Sequence, residues 1–245
     1  MNSISPNLNL MIKACEKASK SIIRDFGEVE KLQVSVKGPS DFVSNADLNA
    51  EKILINELLK NKKNFRVVSE EKGEIENEDK NNSWIIDPID GTVNFLHGIP
   101  HFAISVALKQ NDEIISGVIY DPIKDEMFYA EKNNGAFLNN KRIRVSKKKE
   151  LKESLFASGN NPENINLNIR KTGSAALDLA YVSCGRFEGY FQKDLNLWDV
   201  AAGIILVKEA GGIINNLDLS LTSKIDIKAS NNLINGKMIE KLKNF

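Results

Sequence analysis

Between Trp84 and Thr92 the chain reads Trp-Ile-Ile-Asp-Pro-Ile-Asp-Gly-Thr, an apolar run that stops on two carboxylates, Asp87 and Asp90. Such a run predicts a strand inside the protein, and a charge buried at its end is expensive unless something positive compensates it. No lysine or arginine is adjacent, so the cation must come from elsewhere in the fold or from solution. Pro88 fixes its own φ and pushes Asp87 towards an extended conformation. The turn this predicts gathers Asp87 and Asp90 on one side and exposes the Ile89 carbonyl. Carboxylate and carbonyl oxygens are the ligands that hard cations such as Mg²⁺ prefer. Gly91 allows close approach to the backbone, and the Gly91 and Thr92 amides suit a phosphate oxygen.

Two further acids can complete the cluster. Glu70 follows the predicted strand at Phe65-Arg-Val-Val, and Asp199 opens a predicted helix after Trp198. The plain alternative for Asp199 is a helix N-terminal acid, worth about 1 kcal/mol. Uncatalysed phosphate-monoester hydrolysis is slow enough to need accelerations up to about 10²¹-fold, whereas positioned acid–base groups typically give about 10²–10⁴-fold. Charge neutralisation by metals must supply much of the remainder, a strategy that suits a chain rich in carboxylates with only two histidines. Those two, His97 and His101, lack the further ligands a zinc site needs. No nucleophile elbow, P-loop or dinucleotide fingerprint is present.

Around this segment the pattern predicts mixed helices and strands. Met11, Ala14, Cys15, Ala18, Ile22 and Ile23 mark an amphipathic helix over residues 8–26. Ser44 and Asp47 read as a variant capping box before a second helix. Strands are predicted at Ala103–Leu108, Ile114–Tyr120 and Met127–Ala130, joined by turns short enough for antiparallel pairing. Ser174–Cys184 and Trp198–Ala210 read as helices stopped by glycine, with strands at Gly189-Tyr-Phe and Gly212-Ile-Ile and a last helix over Asn235–Leu242. Gly159–Asn168 reads as an exposed Asn-rich loop, and Lys147-Lys-Lys as a solvated turn. Two halves, 1–143 and 144–245, are expected in one compact unit, since no linker composition separates them.

The chain has 245 residues, with Lys plus Arg equal to Asp plus Glu at 33 each. This neutrality argues against a dominant nucleic-acid partner, which needs a basic footprint. Two distant cysteines fit buried thiols in a reducing compartment. With neither a secretory signal nor a membrane-spanning run in view, a cytoplasmic protein is expected.

Taken in order, Glu70-Glu71, Asp87–Thr92 with Asn94-Phe95, Gly173-Ser-Ala-Ala176, Trp198–Gly203 and Glu209-Ala-Gly-Gly212 resemble the inositol monophosphatase family. The family lies within the wider group that includes fructose-1,6-bisphosphatases, and the resemblance covers nearly the whole chain. It implies an α+β fold, a layered α-β-α-β-α sandwich, and hydrolysis of a small phosphate ester without a covalent intermediate, with inositol monophosphate as the leading substrate. By resemblance, Glu70, Asp87 and the Ile89 carbonyl hold one Mg²⁺; Asp87, Asp90 and Asp199 hold a second; Glu70 helps a weaker third. Thr92, paired with Asp47, orients the attacking water, and Gly91 and Thr92 contact the phosphate. Asp90, Gly173, Ser174, Ala175, Gln192 and Asp199 line the substrate pocket. A homodimer and lithium sensitivity are also implied.

Two positions depart from the family pattern. Gln192 stands where inositol-type members usually carry glutamate, keeping an acceptor but losing the charge. The segment from Ser158 to Arg170 is shorter than the family usually has there. Histidinol phosphate, fructose 1,6-bisphosphate and nucleotide phosphates therefore stand as alternative substrates. A regulatory relative that binds RNA or the transcription machinery is the reading from a different class.

Overall fold

A computed structural model describes residues 4–29, 34–38, 41–160, 165–220 and 223–243. Helix α1 spans Pro6–Phe26, with the Ser5 hydroxyl accepting from the Leu8 amide at 3.2 Å. Its buried residues include Leu8, Met11, Ala14, Cys15, Ala18 and Ile22, the stripe expected of an amphipathic helix, whereas Ile23, expected on the same stripe, is exposed. Strands β1 (Val34–Gly38) and β2 (Asp41–Ser44) form a hairpin that leads into α2 (Asn45–Leu59). The expected capping box is present: the Ser44 amide donates to Asp47 Oδ2 at 2.8 Å, and the Ala46 amide donates to Ser44 Oγ at 3.1 Å.

The next segments build a large sheet from β3 (Phe65–Ser69), β4 (Gly73–Ile75), β5 (Asp79–Asp90), β6 (Ala103–Gln110), β7 (Glu113–Asp121), β8 (Glu126–Glu131), β9 (Gly135–Leu138) and β10 (Lys141–Arg142). A short helix α3 (Thr92–Leu96) interrupts them after β5. From β5 to β10 the strands form an antiparallel meander, as their short connections predict. β3 instead runs parallel to β5, because β4 folds back on the far side of β3 before β5 begins. Asn133, Asn139 and Asn140 take positive φ at the turns flanking β9, where asparagine is tolerated.

The second half comprises β11 (Leu155–Ala157), β12 (Asn168–Arg170), α4 (Ala175–Ser183), β13 (Gly189–Leu195), α5 (Leu197–Glu209), β14 (Gly212–Ile214), β15 (Ile225–Asn231) and α6 (Asn235–Lys241). Its sheet has the order β12-β11-β13-β15-β14. Helices α1 and α2 cover one face of the large sheet, while α4 and α5 lie between the two sheets and α6 packs outside the small one. This is the layered α-β-α-β-α arrangement. Helices α4 and α5 are apolar nearly all round, as a helix enclosed by two sheets must be. One core cluster takes Val68, Ile85 and Ile119 from the large sheet together with Leu179, Val200 and Ile227 from the second half. Close packing there requires glycine: a Cβ on Gly203 would stand 2.4 Å from Leu179 Cδ1.

Some expectations need correction. β15, which pairs with both β13 and β14, is not among the strands that the sequence pattern predicts. The lysine run is only partly solvated: Lys148 Nζ lies 3.3 Å from Oε1 of the wholly buried Glu188. The Asn-rich loop is likewise no free excursion. Gly159 and Asn160 bond to β13, and Asn168 begins β12; residues 161–164 fall outside the described residues. Cys15 is buried and Cys184 half-buried, both as free thiols. Among the described residues, no helix is long and apolar enough to cross a membrane.

Candidate active site

The acidic end of β5 is a bulge rather than a turn. Against β6, Asp87 pairs with Ser105 and Asp90 with Ala103, so Pro88 and Ile89 oppose the single residue Ile104. The Ile89 side chain is fully buried, and its carbonyl accepts from Thr92 Oγ1 at 3.0 Å. The expected free display of that carbonyl is therefore corrected: one lone pair is engaged by Thr92 and the other remains.

Each site aspartate has an oxygen committed to the local frame. The Ile89 amide donates to Asp87 Oδ1 at 3.0 Å. Asp90 Oδ2 accepts from the Ser174 hydroxyl and, at 2.8 Å, from the Ala176 amide, so it sits at the N-terminus of α4 where the helix dipole favours an anion. The Asn196 amide donates to Asp199 Oδ2 at 2.7 Å, so Asp199 does serve as a helix N-terminal acid. Asp47 takes the Ser44 donors on Oδ2 and Thr92 Oγ1 on Oδ1 at 3.3 Å. The pairing of Asp47 with Thr92 expected from the sequence is thus present. Capping explains why these side chains are rigid; it does not use up their acceptors.

The electrostatics bring Glu70, Asp87, Asp90 and Asp199 together. Burial pushes the Asp87 carboxyl well above the usual carboxylate range, and the charges of Glu70, Asp90 and Asp199 push it further. Glu70 is also a hydrogen-bond partner of Asp87, and two carboxyls in that relation share a proton. Burial raises Asp90 to about 6, against the bonds from Ser174, Ala176 and Ala175. Burial and the charge of Asp90 raise Asp199 to about 7, with Lys224 opposing weakly. Among the described residues, no three His, Cys, Asp or Glu side chains form a ready-made cage. Mutual repulsion acts over longer distances than ligation, so carboxylates can oppose one another without touching a common point. An oxygen-rich, mutually repelling donor set fits a hard divalent cation.

Backbone geometry shapes the rim. Gly91, at φ +98, lies so close to the backbone that an added Cβ would stand 3.1 Å from the His101 carbonyl oxygen and 3.2 Å from that of Gly173. Asn94 Nδ2 ties this corner together, donating to the carbonyls of His101 at 2.8 Å and Thr172 at 2.9 Å. Ser174 caps α4 through a bond from the Leu177 amide to its hydroxyl, and Ala175 is the first residue of that helix. Gln192 lies on β13, where its Oε1 accepts from the Gly159 amide and the Tyr190 hydroxyl, both at 2.8 Å. Neither bond of the Gln192 side chain reaches the carboxylate group.

Sequence reasoning missed two buried acids beside the site. Asp178, on α4, accepts from Thr172 Oγ1 at 2.7 Å and so steadies the segment between β12 and Gly173. Glu51, on α2, accepts from the amides of Glu71 and Lys72. Its position on the apolar stripe of α2, beside Ala50 and Leu54, was the available signal.

Over most of its length the chain is similar to known proteins. An inositol-1-monophosphatase of Rhizobium meliloti is 48% identical over 221 residues, covering 84% of this chain and 83% of that protein. The Nus factor SuhB of Escherichia coli K12 is 39% identical over 227 residues, covering 86% of this chain and 85% of that protein. The crystal structure of the extragenic suppressor protein suhB from Bartonella henselae superposes with a TM-score of 0.90 at 44% identity, covering 98% of this chain and 99% of that one. The model of the inositol monophosphatase family matches residues 4–244, so with its five layers and its carboxylate-lined bulge the chain belongs to the inositol monophosphatase family.

Proposed function

We propose that this chain is a Mg²⁺-dependent phosphatase of small phosphate monoesters, with inositol monophosphate as its leading substrate. The observation that carries this reading is the carboxylate group at the β5 bulge, where burial first and then the charges of Glu70, Asp90 and Asp199 raise Asp87. Two or three Mg²⁺ ions would be held there. Glu70, Asp87 and the Ile89 carbonyl would take one, Asp87, Asp90 and Asp199 a second, and Glu70 would assist a weaker third. When bound, the ions neutralise phosphate charge and lower the pKa of water.

The protein's own groups then position the reactants. The Thr92 hydroxyl has one hydrogen and two acceptors within reach, Ile89 O and Asp47 Oδ1. With that hydrogen committed inward, its lone pairs face outward and would accept from a water, fixing the direction of attack. Asp47, buried and raised mainly by desolvation, would hold the Thr92 hydroxyl in this orientation. Gly91 and Thr92 would contact the phosphate, and Asp90, Gly173, Ser174, Ala175, Gln192 and Asp199 would border the alcohol. The test is phosphate release by purified protein with and without Mg²⁺, from inositol 1-phosphate, histidinol phosphate, fructose 1,6-bisphosphate and NADP in parallel. Mg²⁺-dependent release greatest with inositol 1-phosphate supports the proposal. A different ranking moves the substrate, and no release from any ester leaves another substrate or the regulatory reading, with RNA binding measured next.

Gln192 offers a sharper test of the alcohol side. Both bonds to this residue use Oε1, which leaves Nε2 as the group available to a ligand. A glutamate would place a second acceptor there, better suited to an inositol hydroxyl. Gln192→Glu is therefore expected to raise kcat/KM for inositol 1-phosphate over histidinol phosphate by about tenfold, the worth of one charge-assisted hydrogen bond. An unchanged ratio would place the residue outside the pocket.

A further inference from the structure

Glu51 is wholly buried on α2, one turn beyond Asp47. Its Oε1 accepts from the amides of Glu71 at 3.0 Å and Lys72 at 3.2 Å. Its Oε2 is buried and has no hydrogen-bond partner. Burying a carboxylate with an oxygen unpaired is costly, and an apolar residue would satisfy the stripe formed by Ala50, Leu54 and Leu58 without that cost. What Glu51 supplies that an apolar residue cannot is the pair of bonds to the turn between β3 and β4.

That turn carries Glu70. On one side the Glu70 amide donates to the Ile86 carbonyl of β5 at 3.2 Å. On the other, the next two amides are held by Glu51 on α2. Glu70 is thus bracketed between sheet and helix, with its side chain in hydrogen-bond contact with Asp87. Helix α2 fixes both ends of the site through two carboxylates on one face: Asp47 holds Thr92, and Glu51 holds the Glu70 turn.

We propose that Glu51 is a positioning residue that sets the affinity for the divalent cation by clamping the turn that presents Glu70. The proposal rests on the metal-dependent reading above. It separates binding of metal from binding of ester: a loosened turn weakens the grip of Glu70, while the phosphate contacts at Gly91 and Thr92 are left in place.

The test is Mg²⁺ binding by titration calorimetry on the full chain without substrate, beside the Mg²⁺ dependence of phosphate release. Glu51→Leu keeps the volume and removes the acceptor; Glu51→Gln keeps an acceptor and removes the charge. For Glu51→Leu, Mg²⁺ binding is expected to weaken by about tenfold or more, the usual effect of losing a residue that orients a ligand. At saturating Mg²⁺ its kcat and its KM for ester are expected to stay within about threefold of wild type. Glu51→Gln is expected to stay within about threefold in every measurement. Wild-type Mg²⁺ affinity in Glu51→Leu overturns the clamp, and so does a loss in Glu51→Gln equal to that in Glu51→Leu. Should the leucine variant fail to fold, Glu51→Asp, whose carboxylate falls one methylene short of the two amides, carries the same test. Weakened Mg²⁺ binding then supports the clamp, and unchanged binding overturns it. A wild-type chain that neither binds Mg²⁺ nor releases phosphate defeats the proposed function itself, an outcome distinct from any of these.

Discussion

Asp87→Asn is expected to lower kcat for phosphate release by about 10³-fold or more while the fold survives, and the chelated variant is expected to melt no lower than the chelated wild type. The two halves of this expectation have the same origin. Asp87 is the carboxyl most opposed by its neighbours, with burial first and then Glu70, Asp90 and Asp199 all raising it. Asparagine keeps an oxygen that can accept from the Ile89 amide, so the bulge retains its bond. The charge, however, is gone. In the absence of metal that removes repulsion from a buried site; in its presence it removes a ligand expected to serve two ions. Phosphate release across a Mg²⁺ series, with thermal melts in chelator, separates the effects. Near-normal turnover would refute a bridging role. A collapse of the melting temperature would mean that Asp87 holds the fold rather than the cation.

Much of this site was legible because it lies where a strong pattern breaks. Trp84-Ile-Ile ends on Asp87, and an apolar strand that ends on unpaired acids admits few explanations. Ser44 and Asp47 carry a local capping signal, and their geometry matches it. The bulge was not legible, because it depends on register with β6, and register is a property of two strands. β11 and β12 span three residues each, too short for any periodicity. β15 was a recoverable miss: Ile225, Ile227 and Ala229 face inward while Asp226 is exposed and Lys228 half-buried, a plain period of two. Glu51 was hidden for a different reason. Its partners, the amides of Glu71 and Lys72, lie 20 and 21 residues away and offer no side-chain signature of the contact.

Removing the metal is expected to reverse the protein's response to pH. Asp90 stands at about 6 and Asp199 at about 7, whereas an aspartate in an unfolded chain titrates near about 3.9. Between those values the folded chain holds protons that the unfolded chain has released, so stability falls as pH rises through 6 and 7. For these two groups the loss between pH 6 and 8 comes to about 2 kcal/mol, or about 4–8 °C in melting temperature for a chain of this size. His101 acts in the opposite direction, since burial and Lys124 lower its pKa and its cost therefore fades as pH rises. Asp178, raised by burial, adds to the carboxylate trend. Comparison with Asp199→Asn removes both influences, because His101 and Asp178 are common to the two proteins. The same protons must leave when a cation enters, and the proton shared by Asp87 and Glu70 with them, so linkage demands that Mg²⁺ affinity rise by at least about 20-fold from pH 6 to 8. Thermal melts in chelator and calorimetry with Mg²⁺, both across that range, check the two slopes together. A chelated protein that melts higher at pH 8 than at pH 6, with Asp199→Asn giving the same slope, would mean that these carboxyls are not crowded. In that case Mg²⁺ affinity should be flat with pH as well. Opposite slopes for the bare and the metal-loaded protein would tie the buried repulsion at the β5 bulge to cation binding through the one quantity both share, the protons released.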